Sequence, residues 1–306
     1  MSAPIYLSRT DVLQALRPAQ AVDVIVNCLR SGARPDRDHP RSVLELTNGQ
    51  LLLMPSEYRQ SAGVKVLGVS PENPSRGEPR IHGVYVLMDS ATFEILAVLD
   101  GAALTLVRTP AVSFAGIRDL IQARGEPLRI AVIGAGPQAI AHHESAVDLF
   151  SKSVGIRSST FIARTRRTMP DSFAEAGSDE ARTALNDANL VMCATSSAIP
   201  VLHAPDLHRD AIVVAIGSHE PTKREIAGEV FSGAAVIVED RATALREAGD
   251  VILAVKEGVL DVDSLIELSG VATGAAELPL EGHVIVKTTG MSWEDVVIAR
   301  AILNLR

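Results

Sequence analysis

The stretch that most constrains this chain is Leu128-Arg129-Ile130-Ala131-Val132-Ile133-Gly134-Ala135-Gly136-Pro137-Gln138-Ala139. An apolar strand runs into a glycine turn, and the turn runs directly into an amphipathic helix that reaches Phe150. This order suits a dinucleotide pyrophosphate. Gly134 takes the tight turn, Gly136 has no Cβ to obstruct the phosphates, and Ala139 lets the helix lie close to the sheet. The free N–H groups and positive dipole end of the helix then face the anion. The competing reading is an ordinary strand-to-helix turn of small residues. The strand before and the helix after favour the cofactor.

At 306 residues the chain exceeds the commonest domain size, so two domains are expected. Aromatic residues make up only 3%, so the cores must be built from Val, Leu, Ile and Ala. A formal charge of −8 argues against nucleic acid or an anionic membrane as partner. Cys28 and Cys193 stand in apolar segments without metal-type spacing and read as buried reduced thiols. With no signal peptide or spanning run visible, the expected location is cytoplasmic.

The first third does not read as alternating strands and helices. Asp11–Leu29 has helical apolar spacing from a Thr10-Asp11 cap, followed by β-type runs at Val43–Leu46, Leu51–Met54, Val64–Val69, Ile81–Met88 and Phe93–Leu99. Asp89-Ser90-Ala91-Thr92 makes the last hairpin turn. Ala102–Arg124 reads as a helix that Pro110 should kink or divide.

From Leu128 the texture changes to α/β. Strands are expected at Leu128–Ile133, Ser159–Ala163, Leu190–Ala194, Ile212–Ile216 and Ala235–Val238, as in a doubly wound parallel sheet. Val284–Thr288 reads as one more strand and Trp293–Leu303 as a helix, and this tail is expected to rejoin the first domain. The expected division is 1–120 with 286–306 around a dinucleotide-binding Rossmann domain at 121–285.

The second strand of a dinucleotide fold ends beside the adenosine ribose, where an acid suits a free 2′-hydroxyl and arginine suits a 2′-phosphate. Here it ends in Ala163-Arg164-Thr165-Arg166-Arg167, with no acid in place. NADP is therefore expected, with NAD the alternative. Thr195-Ser196-Ser197 follows a later strand, where its hydroxyls either touch the cofactor or cap a helix.

Several short motifs share one order and spacing with a known family. They are Pro40-Arg41, Leu53-Met54-Pro55, Gly63-Val64-Lys65-Val66, Ser70-Pro71-Glu72-Asn73-Pro74, Val107-Arg108-Thr109-Pro110, the glycine turn, Ala194-Thr195-Ser196, Gly217-Ser218-His219-Glu220-Pro221 and Lys287-Thr288-Thr289-Gly290. Over nearly its whole length the chain resembles the ornithine cyclodeaminase/mu-crystallin family. The resemblance implies a Rossmann domain inserted in an α+β substrate and dimerisation domain. It also implies homodimers whose substrate-domain sheets join, and small α-amino or α-imino acids as substrates. By position it assigns the substrate carboxylate to Arg41, Lys65 and Arg108, with Met54 beside them. It assigns the cofactor to Thr109, Gly134, Ala135, Gly136, Pro137, Gln138, Ala139, Arg164, Thr165, Arg166, Thr195, Ser196, Gly217 and Gly290.

The chemistry of the cation trio is independently sensible. An α-carboxylate beside a nicotinamide must be pinned, and guanidinium forks with an ammonium do so. For any one of these residues alone, a structural ion pair is the competing reading.

Two departures bear on the reaction. Ornithine-cyclising members carry an aspartate where this chain has His219, and a glutamate where it has Leu52. Both losses disfavour a diamino acid, whose distal ammonium wants a carboxylate. Histidine instead suits delivery of a proton to the nitrogen of a cyclic imine. The expected activity is therefore NAD(P)H-dependent reduction of Δ1-pyrroline-2-carboxylate or Δ1-piperideine-2-carboxylate, with His219 and Lys65 as catalytic residues. The alternatives are ornithine cyclodeaminase, an alanine or N-substituted amino-acid dehydrogenase, and a crystallin-like ligand binder without turnover. No metal is expected, because His142-His143 point apart on a helix and no ligand cluster accompanies them.

Overall fold

The computed structural model describes residues 3–166 and 168–305. Its contacts divide the chain into two units, Met1–Ala111 with Gly290–Arg306, and Val112–Thr289.

The first unit is a six-stranded sheet with helices on its inner face. The strands are β1 (Ile5–Leu7), β2 (Ser42–Leu46), β3 (Gly49–Tyr58), β4 (Ser61–Val69), β5 (Ile81–Asp89) and β6 (Ile95–Asp100). Their spatial order is β1-β6-β5-β4-β3-β2, antiparallel except for the β1–β6 pair. Buried positions alternate along β3, β4 and β5, which places one face of the sheet inward at a period of two. One row, Met54–Lys65–Tyr85, runs across β3, β4 and β5 in register, and all three side chains are buried. The C-terminal helix Ser292–Asn304 packs on these three strands and on the helix Pro18–Arg30.

The second unit is an eight-stranded parallel sheet. In chain order its strands are β7 (Leu128–Ile133), β8 (Ile156–Ala163), β9 (Ser172–Glu175), β10 (Leu190–Cys193), β11 (Ile212–Ala215), β12 (Ala235–Val238), β13 (Ile266–Glu267) and β14 (Val284–Lys287). The spatial order β13-β12-β14-β11-β10-β7-β8-β9 reverses direction between β7 and β10. Ligands of open parallel sheets bind beyond the carboxyl ends of the strands at such a reversal. Five of the eight strands are near-continuous apolar runs, as burial on both faces requires.

Several local expectations need correction. The single helix expected over Asp11–Leu29 is two, Arg9–Ala15 and Pro18–Arg30. Pro18 has no N–H to continue the first helix and instead starts the second. The true N-cap is Ser8, in a reciprocal capping box with Asp11. Pro110 does not divide its helix, which runs Gly101–Ala115, and the break falls later, before Arg118–Arg124. There Gly116 lies close against Leu268, where a Cβ would stand 3.3 Å from its Cδ1. β6 begins at Ile95, not Phe93, because Phe93 adopts φ +57° in the hairpin turn that Asp89 caps. Only the tail helix joins the first unit, whereas Val284–Lys287 sits between β11 and β12. The short strands β1, β9 and β13 carry too few residues for a periodic signal.

Gly63 in β4 has a specific packing role, because a Cβ there would overlap the Tyr85 phenol and the Val86 carbonyl. Gly63→Ala should cost roughly 1–3 kcal/mol of stability, as overpacked cores do. Chemical denaturation of the variant beside the wild-type protein measures it.

Candidate active site

The first unit gathers all three expected carboxylate-binding cations into one group, with Lys65 and Arg108 buried and Arg41 half-buried. Lys65, on the inner face of β4, is fully buried, and its Nζ lies 2.7 Å from Asp295 Oδ2. The contact is close but not aligned as a hydrogen bond, so the attraction is chiefly Coulombic. Arg108 Nη1 donates to Glu294 Oε2 at 2.8 Å, and its Nε stands 3.5 Å from Asp295 Oδ1. Arg41, just before β2, donates from Nη2 to the Gly290 carbonyl at 2.7 Å. Gly290 has φ +81°, and a Cβ on it would overlap the Arg108 guanidinium. Only glycine both takes that backbone conformation and lets the guanidinium pass.

The group thus brings the three cations together with the carboxylates of Glu294 and Asp295. A carboxylate substrate would meet guanidinium and ammonium donors there, and burial would strengthen the attraction. Met54 is packed in the same row, and Leu52, where an ornithine-cyclising relative would carry an acid, is buried beside Leu67 in register. The wall on that side is therefore apolar.

Burial shapes the protonation of the group. Desolvation pulls the Lys65 ammonium down to about 8, against the opposing pull of Asp295 and with a further push from Arg108. Tyr85 is likewise held neutral, first by burial and then by the negative charges of Asp295 and Asp38. Asp38 accepts from the Ser56 hydroxyl at 2.7 Å and from the Trp293 N–H at 2.8 Å, which ties it to the start of the C-terminal helix.

Four members of this group escaped the reading of the sequence: Asp38, Tyr85, Glu294 and Asp295. A signal for the last two existed. The helix Ser292–Asn304 is apolar on nearly every side, and paired acids in its first turn imply buried partners rather than a solvated face.

In the second unit the glycine turn has the shape a pyrophosphate needs. Gly134 sits at φ +129°, where a Cβ would strike the Ala194 carbonyl, and its N–H donates to Ile162 O at 2.9 Å. Gly136 has open space where its Cβ would be, and it caps the helix Pro137–Phe150 without a side-chain hydrogen bond. Ala139 is fully buried against the turn. These features fit a dinucleotide.

Arg164, Thr165 and Arg166 are exposed just after β8, and Arg166 lies over the Phe173 ring at 5.8 Å. Arg167 lies outside the described residues. Glu175, which the sequence reading did not consider, ends β9 in register with Ala163.

Thr195 Oγ1 accepts from Ser197 N at 3.1 Å, so it shapes its own loop. Ser196 stands beside it. Gly217 and exposed His219 follow β11. Two expected cofactor residues belong to the first unit. Thr109 donates back to the Thr105 carbonyl at 2.8 Å, and Gly290 supports the cation group. His142 is a core residue, bridging Ser113 Oγ at 3.1 Å and the Gln138 carbonyl at 2.8 Å. Among the described residues no group of three or more His, Cys, Asp or Glu side chains is arranged to hold a metal.

Comparison with known proteins identifies the family. The model of the ornithine cyclodeaminase/mu-crystallin family matches residues 3–305. The chain belongs to that family. A Δ1-pyrroline-2-carboxylate reductase of Burkholderia multivorans is 32% identical over 96% of this chain and 95% of its own length. Another, from Bacillus thuringiensis subsp. konkukian, is 30% identical over 81% and 79%. Among solved structures, the Thermococcus litoralis Δ1-pyrroline-2-carboxylate reductase in complex with NADH and L-proline superposes with a TM-score of 0.86. It is 22% identical, covering 98% of this chain and 97% of that one, and so speaks for the fold.

The Lys65 ammonium has a consequence for this family member's pH profile. Lysine binds an anion only while protonated, so kcat/KM for a carboxylate substrate should fall as pH rises through about 8. In Lys65→Arg, whose guanidinium stays charged, that alkaline limb should move up by more than a pH unit. A limb unmoved in the variant would assign the ionisation to another group.

Proposed function

We propose that this protein reduces a small cyclic α-imino acid, Δ1-pyrroline-2-carboxylate or its six-membered homologue, to the cyclic amino acid. The observation that carries the reading is the gathering of Arg41, Lys65 and Arg108 in the first unit, in a chain of this family. Arg41, Lys65 and Arg108 hold the substrate carboxylate, which fixes where C2 points. Met54 and Leu52 offer the ring an apolar wall and give a distal ammonium nothing to pair with. The turn Gly134–Ala139 and the loops at Thr195 and Gly217 hold the dinucleotide. A bound reduced nicotinamide supplies a hydride for C2. His219 supplies the proton that the ring nitrogen gains, so the C=N bond becomes CH–NH.

NADPH is the preferred coenzyme in this reading, because Arg164 and Arg166 are exposed where a 2′-phosphate would lie. The position of Glu175 beside Ala163 is the feature that favours NADH instead. The working form is a homodimer. Leu53–Val66–Val84 and Pro55–Val64–Val86–Val98 line up in register as apolar rows on the outer face of the first unit's sheet. An apolar face of that extent marks an interaction surface. The protein works in the cytoplasm, in keeping with its free, buried Cys28 and Cys193. No helix among the described residues is long and apolar enough to cross a membrane.

One set of assays tests the activity. Oxidation of NADPH and NADH is followed with both imino acids, beside ammonia release from ornithine and reduction of pyruvate with an amine. Coenzyme oxidation with a cyclic imino acid is expected, without ammonia from ornithine. Ornithine deamination instead would overturn the reading. His219→Ala should lose about 100-fold or more in kcat, the usual contribution of a general acid. An unchanged rate would remove it from the mechanism. For the dimer, light scattering should give twice the 32.4 kDa chain mass, and Val66→Asp should halve it.

A further inference from the structure

We propose that Glu225 is a positioning residue of the coenzyme site, whose one carboxylate locks the loops after β10 and β11 together against the glycine turn. The inference rests on reading that turn as a dinucleotide site.

Glu225 is fully buried, yet it reaches neither solvent nor the turn itself. Its Oε1 accepts the Thr195 N–H at 2.6 Å, and its Oε2 accepts the Gly217 N–H at 2.5 Å. These two amides begin the loops that leave the carboxyl ends of adjacent parallel strands. Without it, both loops would leave a part-buried donor with no acceptor. One carboxylate satisfies both and sets their spacing.

The connection continues to the turn on one side. Ala194, which precedes Thr195, places its carbonyl where a Gly134 Cβ would stand, and its N–H donates to Ile133 O at 2.9 Å. On the other side Gly217 leads into His219. A Cβ at Gly217 would overlap both the Thr195 carbonyl and the Glu225 carboxylate, so the two loops and the acid are in direct contact. The glycine turn and the histidine loop thus share one brace.

The brace is itself held. Asp250 Oδ1 accepts the N–H groups of Glu225 at 2.7 Å and Ile226 at 2.9 Å. The buried Lys287 ammonium stands 3.0 Å from Asp250 Oδ2 and donates to the Ala215 carbonyl at 3.3 Å. Burial, with a smaller push from Asp250, raises the Glu225 carboxyl above the usual range, while Lys287 and the hydrogen bonds from Thr195 oppose that rise. An acceptor on both oxygens is what the site demands. A glutamine of the same size would turn an NH2 group toward one of the two donors.

Amide hydrogen exchange and coenzyme binding test the proposal without an activity assay. In the wild-type protein the Thr195 and Gly217 amides should exchange as slowly as those of Val191 and Val213, and far more slowly than those of Ser196 and Ser218. In Glu225→Gln they should exchange at least tenfold faster with Val191 and Val213 unchanged. The dissociation constant for NADH or NADPH, read from coenzyme fluorescence, should rise by about tenfold. Glu225→Asp keeps the charge one methylene short and should show the same weakening. Wild-type Thr195 and Gly217 amides exchanging like their loop neighbours would overturn the proposal, whether or not the variants fold. So would a folded variant that binds coenzyme within twofold of wild type. Wild-type protein that binds neither coenzyme would sink the dinucleotide reading as well. Binding by the wild type with an unaffected variant would sink this proposal alone.

Discussion

Four charges buried together, Lys65 and Arg108 with Glu294 and Asp295, are the constraint on which the first unit depends. Taking each from water costs several kcal/mol, and only its partners offset that. The pairing therefore dictates where the chain's last segment must lie. The C-terminal helix has to return across a long sequence separation and set its first turn over β3, β4 and β5. Gly290 is the hinge that makes the return geometrically admissible, since its positive φ and missing Cβ leave room for Arg108. The discontinuity of the unit follows from this electrostatic requirement as much as from apolar burial.

The second unit answers a similar problem with the opposite balance. There Glu225 and Asp250 are spent on backbone N–H groups, with Lys287 as their cation. In the first unit Glu294 and Asp295 are spent on cationic side chains instead. That difference separates a recognition site from a scaffold made of the same residue types.

Much of the fold was legible locally. The run Leu128–Ile133 and the turn at Gly134 are readable because parallel strands buried on both faces have a composition, and a phosphate turn a spacing, that few alternatives share. Arg41, Lys65 and Arg108 could be singled out because each stands in or beside apolar sequence, where a lone charge needs a partner. The partners were harder to see. Glu294 and Asp295 look like ordinary first-turn acids that favour a helix dipole, and Tyr85 looks like any aromatic in a strand. The errors were local conflicts between equal signals. Pro18 and Pro110 carry the same helix-breaking chemistry, yet only the first falls where a second helix can begin.

By itself, the sequence determined the periods of its elements, the glycine turn, the change of texture near Leu128 and the presence of cations needing an anion. These rest on interactions within a few residues, which spacing encodes. The tertiary structure alone decided which carboxylates meet those cations, that Tyr85 lies over Gly63, and that Glu225 spans two loops. Such contacts join residues far apart in the chain, and their energy depends on burial and distance, which no local pattern records.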